Sequence, residues 1–333
     1  MRAPHRSRGA ALLAALLTVA LVATLSAAGL WHQWRAIEVE AAERERAQSA
    51  WVLHGALDWA RLILREDARA GQVDHLAEPW SVPLLDARLS TFLAADRSAP
   101  AGEATGEAAF LSGEIIDLQA RLNLLTLIDS GRPSPVAQRA FSRLFDVLGL
   151  PPAQLDTLVD QLQQAISGGR NPGRALTDTE TQWIPLLPQR PEQLGWLGLP
   201  PDTVRTLLPH VSLLPERTTV NLNTASATVI YAALDGIGLV DAQRIVAARA
   251  SSYWRRPADA ARLVGEVLPE GALVGVDSRY FEVRGRLRLD RRVTESRTLV
   301  RRDRREPVTV EALQQLRGAV AAEALTRSPD TAR

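Results

Sequence analysis

The chain has 333 residues, of which 46% are hydrophobic and 23% are charged. This composition is normal for a folded protein with one or two compact cores, and it excludes an intrinsically disordered chain. The formal net charge of +1 at pH 7 excludes a molecule-wide field that would recruit nucleic acid or an anionic membrane. No cysteine is present, which excludes disulfide bonds, thiolate metal sites and thiol nucleophiles.

The first predicted element is a membrane-spanning helix over residues 10–30, a segment without a charged residue. As a helix it would reach roughly 30 Å, about the thickness of the hydrocarbon core of a bilayer. Arg2, Arg6 and Arg8 precede it, and the next charged residue is Arg35. The basic flank therefore predicts a single-pass inner-membrane protein with a cytoplasmic N-terminus and its bulk in the periplasm.

The helical pattern continues beyond the membrane over residues 31–70, which contain no proline and only one glycine. A cleavable signal peptide is the alternative, because Ser26-Ala27-Ala28 could precede a cleavage site and leave Gly29 as the first residue. The apolar run is longer than is usual for a signal peptide, which favours a retained anchor.

The start of this helix resembles a type IV prepilin signal, because Arg8-Gly9 is followed directly by Ala10-Ala11-Leu12-Leu13. The resemblance implies that residues 1–9 are a leader, that prepilin peptidase cleaves between Gly9 and Ala10, and that Ala10 becomes the methylated N-terminus. Most pilins carry Glu as the fifth mature residue, where this chain has Ala14. In this respect the chain is similar to the minor pseudopilin K family (GspK) of bacterial type II secretion systems, and we expect Ala14 to allow close subunit packing in the membrane.

Two further segments resemble the same family. Residues 74–80 read DHLAEPW, and residues 117–123 place Asp, Gln, Arg and Asn at every second position (Asp117, Gln119, Arg121 and Asn123). We expect residues 71–133 to contain the sheet elements of a pilin domain.

The pattern then predicts an inserted helical domain over residues 134–275. Helices are expected over Val136–Leu148, over Ala153–Ile166, and from Pro201 to near Leu208. Alternating apolar residues predict C-terminal strands over residues 276–306. Residues 307–333 are expected to be a polar tail with a helix and a frayed end.

A helix-hairpin-helix unit is predicted around Gly236 and Gly238, after the segment Asn221-Leu222-Asn223-Thr224-Ala225. Such units bind DNA phosphates through backbone N–H groups, and Arg244 and Arg249 lie near enough in sequence to add positive charge. The pseudopilin family carries the same opening segment, so the hairpin is either scaffold or, in the alternative interpretation, the phosphate contact of a membrane-anchored DNA-binding protein of the competence type.

Calcium is the one cofactor that the resemblance suggests. The family holds calcium in its helical insert, and Asp160, Asp178 and Glu180 are the candidate ligands in this chain. Gln161, Gln163 and Gln164 replace further carboxylates, so ordinary solvated or helix-capping acids are the alternative for these three residues.

No constellation of catalytic residues is recognisable. The histidines at 5, 32, 54, 75 and 210 are scattered and form neither a zinc motif nor a triad. Arg284, Arg286 and Arg288 share one face of a predicted strand, which is typical of a solvated sheet surface and less often of a phosphate-binding stripe. The sequence predicts a structural protein rather than an enzyme.

The resemblance implies an α+β pilin-like fold, in which a long N-terminal transmembrane helix packs on an antiparallel sheet that carries the inserted all-α domain. It implies a pseudopilus-tip protein that initiates or caps assembly for protein export across the outer membrane. The implied partners are the minor pseudopilins I, J and H, the major pseudopilin G, prepilin peptidase and secreted substrates, and no nucleic acid is expected.

Overall fold

The structure is a computed structural model that describes residues 7–89, 109–170, 185–269, 271–289, 292–305 and 308–321. The helices are α1 (Ser7–Ala70), α2 (Pro135–Leu148), α3 (Pro152–Arg170), α4 (Pro201–Leu207), α5 (Ala227–Ala233), α6 (Leu239–Arg249) and α7 (Pro257–Leu263). The strands are β1 (Leu84–Arg88), β2 (Ala109–Asp117), β3 (Leu122–Asn123), β4 (Ile128–Asp129), β5 (Arg132–Pro133), β6 (Val211–Ser212), β7 (Val220–Asn221), β8 (Val274–Gly275), β9 (Tyr280–Leu289), β10 (Arg292–Asp303) and β11 (Thr309–Ala321).

Helix α1 is one continuous element, as the proline-free sequence predicts. Among the described helices, one is long and apolar enough to cross a membrane, and it covers Ala10–Ala70. In its first part the leucines and valines are exposed, for example Leu13 and Leu17 at 69% and 71% of their surface. Exposed apolar side chains on all faces suit a helix that is surrounded by lipid.

The last turns of α1 lie on a five-stranded antiparallel sheet in the order β1-β2-β9-β10-β11. Leu57, Ala60 and Leu64 recur at helical spacing and are buried with Trp80 and Phe281, whose rings meet edge to face at 5.2 Å. This apolar layer fixes the helix on one face of the sheet. The expected pilin-like α+β fold is therefore confirmed.

Strand β11 corrects one prediction. A helix was expected beyond Pro307, but residues 309–321 pair with β10 from Asp303↔Thr309 to Arg292↔Ala321. Local propensity favours a helix here because Ala, Leu, Gln and Glu are abundant. Pairing along the open edge of β10 satisfies the backbone of the segment, and it buries Val310 in the core between helix and sheet.

Between β2 and β9 the chain leaves the sheet and builds a second apolar core. Helix α2 starts with the Ser134 cap, whose hydroxyl accepts from the Ala137 N–H at 3.5 Å, and ends at Gly149 with φ 66°. Helices α2, α3 and α4 confirm the three helices predicted from periodicity. This core also includes Leu122, Leu124 and Leu127 from the segment before residue 134.

Two parallel strand pairs tie this core together: β3 pairs with β6, and β7 pairs with β8. Each partner in these pairs is only two residues long, so side chains must supply much of the connection. The polar side chains that do so are those of the sequence motifs.

Candidate functional site

Asp117 is the centre of a buried polar junction at the end of β2, where the sheet meets the helical core. Its side chain is 3% exposed and accepts hydrogen bonds from the hydroxyls of Thr224 and Ser278, each at 2.6 Å. Its carboxylate also accepts from the Gln119 N–H at 2.7 Å and from the Asn221 amide at 3.2 Å. Burial nevertheless raises the pKa of Asp117 to about 6, and the negative charge of Asp74 adds to the rise that these hydrogen bonds oppose.

Gln119 and Asn123 connect distant loops to residues 117–123, the segment with Asp, Gln, Arg and Asn at every second position (the strand motif). The Gln119 amide donates to the backbone carbonyls of Thr219 and Asp277 at 3.1 and 3.2 Å, and its carbonyl accepts from the Arg279 N–H at 2.8 Å. Asn123 donates to the Glu216 carbonyl at 2.7 Å. These side chains therefore substitute for backbone ladder bonds that the short strands lack.

The segment 221–225 contributes the side chains of Asn221 and Asn223 to the polar junction. The Asn221 amide donates to the Asp74 carbonyl at 3.1 Å and to the Ser278 hydroxyl at 3.0 Å. Asn223 exchanges two hydrogen bonds with the backbone of Trp254, at 2.8 and 3.0 Å. The structure thus joins three of the segments that carry the family resemblance, those around Asp74, Asp117 and Asn221.

A charged cluster extends this junction towards the end of α1. The fully buried Arg302 guanidinium pairs with Asp67 at 2.6 Å and with Asp74, and it lies 4.6 Å from the ring centre of Phe281. Arg304 pairs with Asp74 at 2.7 Å. The cluster is buried in the folded domain, so its role is to hold the end of α1, the loop after it and β10 together.

Three carboxylates of this cluster, those of Asp67, Asp74 and Glu78, offer oxygen atoms within 4.8 Å of one another. Arg302 and Arg304 supply two positive charges to three negative ones, which leaves one negative charge in a buried place. Burial is the main reason that the pKa of Asp67 rises to about 6 and that the pKa of Glu78 is also raised. The two arginines balance part of this charge, and the raised pKa of Asp67 allows a proton to balance the remainder.

Arg302 and Asp67 were not recognised from the sequence. Arg302 lies in an arginine-rich segment and looks like its exposed neighbours. The available signal was its position two residues after the buried Val300, because alternate residues of a strand face the same side.

The three arginines on one face of β9, of which Arg286 is exposed and Arg284 and Arg288 are half-buried, pair with acids of the same sheet or pack on a ring. Arg284 contacts Glu114 at 3.1 Å, Arg286 contacts Glu295 at 2.7 Å, and the Arg288 guanidinium lies 4.1 Å from the ring centre of Phe110. This arrangement matches a solvated sheet surface better than a phosphate-binding stripe.

The predicted hairpin lies between α5 and α6, and carboxylates of the chain itself occupy its N–H groups. The Gly236 N–H donates to Asp235 at 3.0 Å, and the Gly238 N–H donates to Asp241 at 3.2 Å. Gly236 has a φ of 86°, and a Cβ there would lie 2.9 Å from the Glu266 carboxylate. These acids would repel a phosphate group.

The two arginines expected to help at this hairpin are also engaged. Arg244 pairs with Asp241 at 3.2 Å. Arg249 donates to the carbonyls of Leu222 and Ala225, each at 2.6 Å, and burial lowers its pKa to about 10. The hairpin is therefore scaffold, and the DNA-binding alternative is not supported.

The candidate calcium ligands cannot be assembled from the described residues. Asp160 lies exposed on α3, and Asp178 and Glu180 lie outside the described ranges. At the N-terminus, Gly9, Ala10 and Ala14 all lie within α1. The calcium site, the cleavage site and the packing role of Ala14 stay predictions.

Comparison with known proteins identifies the class and then the family. A long N-terminal helix that is apolar in its first part and packs on an antiparallel sheet through its last turns, with a helical unit between two sheet strands, defines a membrane-anchored pilin-like protein. Family models described as type II secretion system (T2SS), protein K, match residues 120–216 and 220–275. The chain is 30% identical over 314 residues to type II secretion system protein K of Pseudomonas aeruginosa, with 88% of each chain covered.

A further relative supports the same family, and a solved structure shares the fold. The Klebsiella pneumoniae type II secretion system protein K is 28% identical over 75% of this chain and 77% of its own length. A chain in the crystal structure of the GspK-GspI-GspJ complex from enterotoxigenic Escherichia coli has the same fold, with a TM-score of 0.59 and 18% identity over 83% of this chain and 98% of that chain. The chain belongs to the type II secretion system protein K family. It is a minor pseudopilin, a structural component of the secretion system, and its apolar helix fits a single-pass membrane anchor.

Proposed function

We propose that this minor pseudopilin occupies the tip of the pseudopilus, where it initiates or caps assembly. The observation that carries the proposal is Ala14 in a chain of this family, because most pilins have at this position a Glu whose carboxylate pairs with a neighbouring subunit. A buried carboxylate without a partner would be costly in lipid, so a subunit with no subunit stacked above it gains by lacking this group.

The partners follow from the family. The related Escherichia coli protein was solved with GspI and GspJ, and we infer that the I and J pseudopilins bind this chain as well. Pseudopilins H and G and secreted substrates are further proposed partners. This role requires no catalytic reaction, because assembly depends on the packing of subunits. The polar junction around Asp117 is held by hydrogen bonds within the chain, which fits a structural role.

Membrane topology completes the proposal. Arg2, Arg6 and Arg8 stand before the apolar segment, so the short N-terminus would stay in the cytoplasm and the folded part would face the periplasm from the inner membrane. Prepilin peptidase would cut after Gly9, and the helix would remain as the anchor.

Mass spectrometry of the mature N-terminus from native membranes tests the proposal. We expect a chain that starts at Ala10, with a methyl group on its amine, and an uncleaved chain in the Gly9→Val variant. A Gly29 N-terminus would show a cleaved signal peptide, and an intact Met1 would show an unprocessed anchor; either result would exclude pseudopilin processing. Pull-down with tagged I and J pseudopilins then tests the tip position, which requires that both are recovered with this chain.

A further inference from the structure

A cleft of about 380 Å³ lies between the face of β10 and β11 and the helical core. Its walls contain the apolar side chains of Leu118, Leu213 and Leu299, together with Arg121 and Arg190. The volume is in the range of small-ligand sites, and the mixture of an apolar lining with a few polar groups is typical of such sites. The polar junction described above does not use this cleft.

Arg121 is the arginine of the strand motif (residues 117–123), and its surroundings differ from those of Gln119 and Asn123. Among the residues that the structure describes, its guanidinium forms no hydrogen bond and interacts with Glu282 and Glu192 only through their charge, whereas Gln119 and Asn123 donate to backbone carbonyls. Burial lowers the pKa of Arg121. Burial also lowers the pKa of the nearby His210, and the positive charge of Arg121 adds to that effect. Because no donor of this half-buried guanidinium is hydrogen-bonded within the described residues, an acceptor group in the cleft would stabilise it.

Two more donors in the same walls lack acceptors. Ser212 is 2% exposed, and its hydroxyl has no hydrogen-bond partner within the described part of the chain. The buried Nε of Arg190 likewise meets no acceptor among the described residues. Buried donors without an acceptor are uncommon in proteins, and the Ser212 hydroxyl and the Arg190 Nε in the walls of one cleft indicate a missing acceptor.

The local strands explain how these groups meet. Strands β3 and β6 are parallel and place Asn123 opposite Ser212, so the segment that carries Arg121 runs beside the one that carries Ser212. Arg190 precedes the 3-10 helix Pro191–Leu197 and lines the same cleft.

We propose that this cleft binds the carboxylate of an apolar peptide segment, with Arg121 and Arg190 as charged donors and the Ser212 hydroxyl as a neutral donor. A carboxylate matches the planar fork of a guanidinium, and leucine side chains of the cleft would contact the apolar part of the peptide. Glu192 and Glu282 also line the cleft, and they disfavour a doubly charged phosphate more than a singly charged carboxylate.

Arginine labelling of the full chain in lipid nanodiscs tests this proposal. The reagent is phenylglyoxal, the labelled residues are identified by mass spectrometry, and the probe is N-acetyl-leucyl-leucine with a free carboxylate. We expect the probe to slow the labelling of Arg121 and Arg190 in a saturable way. Labelling of the exposed Arg205 on α4 should not change, which provides a control within the same sample.

A variant and two control probes make the result specific. In Ser212→Ala, the probe concentration that halves the labelling of Arg121 and Arg190 should rise about fivefold, which is the effect of one lost hydrogen bond. The carboxamide of the same dipeptide and inorganic phosphate should not protect. Absence of protection by the free acid, equal protection by the amide or by phosphate, or an unchanged Ser212→Ala variant would each overturn the proposal. The outcome does not depend on the position of the chain in the pseudopilus.

Discussion

Arg302 has no exposed surface and pairs with Asp67 and Asp74, which makes it the residue whose loss should be most damaging. We expect Arg302→Met to lower the free energy of unfolding by about 3–5 kcal/mol, because two buried carboxylates lose their counter-charge. The measurement is urea denaturation of the detergent-solubilised chain, followed by tryptophan fluorescence.

The neighbouring Arg301 provides a matched control. Its side chain is 36% exposed and pairs with Glu311 at the sheet surface, so Arg301→Met should change the free energy of unfolding far less than Arg302→Met does. Equal costs for the two variants would contradict the role of Arg302 as a buried counter-charge.

The raised pKa of Asp67 predicts a pH dependence with a definite sign. Its pKa is about 6 in the folded chain and near the ordinary value of 3.8 when unfolded, so between these values the folded state holds more protons. The stabilising contribution of Asp67 is therefore complete below about pH 4 and is lost as the pH rises through about 6. Asp117 contributes with the same sign.

The variant Asp67→Asn should reduce this slope. Its free energy of unfolding should fall less between pH 4 and pH 7 than that of the unmodified chain, as measured by urea denaturation at several pH values. The exposed Asp202 on α4 is the control, because Asp202→Asn leaves all buried carboxylates in place. An unchanged slope in Asp67→Asn would mean that Asp67 stays ionised throughout this range.

At the scale of elements, the pairing of β2 with β9 depends on a close approach at Gly113. It lies opposite Gly285, and a Cβ at Gly113 would be 2.8 Å from the backbone carbonyl oxygen of Arg284. Backbone cannot give way like a flexible side chain, so we expect Gly113→Ala to cost about 1–3 kcal/mol of stability. Thermal unfolding monitored by circular dichroism measures this effect.

Gly195 is the control for this substitution, since a Cβ there would have no heavy atom within 4 Å. Gly195→Ala should change stability by no more than about 0.5 kcal/mol. If Gly113→Ala were equally harmless, β2 and β9 would have to be farther apart than in the structure.

For the whole molecule, the proposed function depends on contacts between the anchor helix and other subunits in the membrane. Ala14 lies in the apolar part of α1, and we expect Ala14→Gln to lower the yield of I and J pseudopilins in pull-downs. A larger polar side chain prevents close helix contact and carries an unsatisfied amide into lipid. Ala14→Ser keeps a small side chain and should retain the yield; a full yield with Ala14→Gln would refute close packing at this position.

The sequence by itself determined the apolar anchor, helices α2 to α4, the hairpin between α5 and α6 and the motifs that show family resemblance. Helix periodicity and caps are local properties, and a bilayer demands a long uncharged segment whatever the rest of the chain does. The motif residues Asp117 and Asn221 could be selected from sequence, but their contact with each other could not.

Only the tertiary structure determined that residues 309–321 form a strand, that Arg302 is buried and that Asp235 and Asp241 accept from the N–H groups of the hairpin. Residues 309–321 became a strand because β10 offered an open edge, which outweighed a local preference for helix. Arg302 and an exposed arginine have the same chemistry, and only long-range packing with Asp67 and Asp74 makes one of them structural. Contacts between residues far apart in the chain depend on the whole fold, and no local pattern contains them.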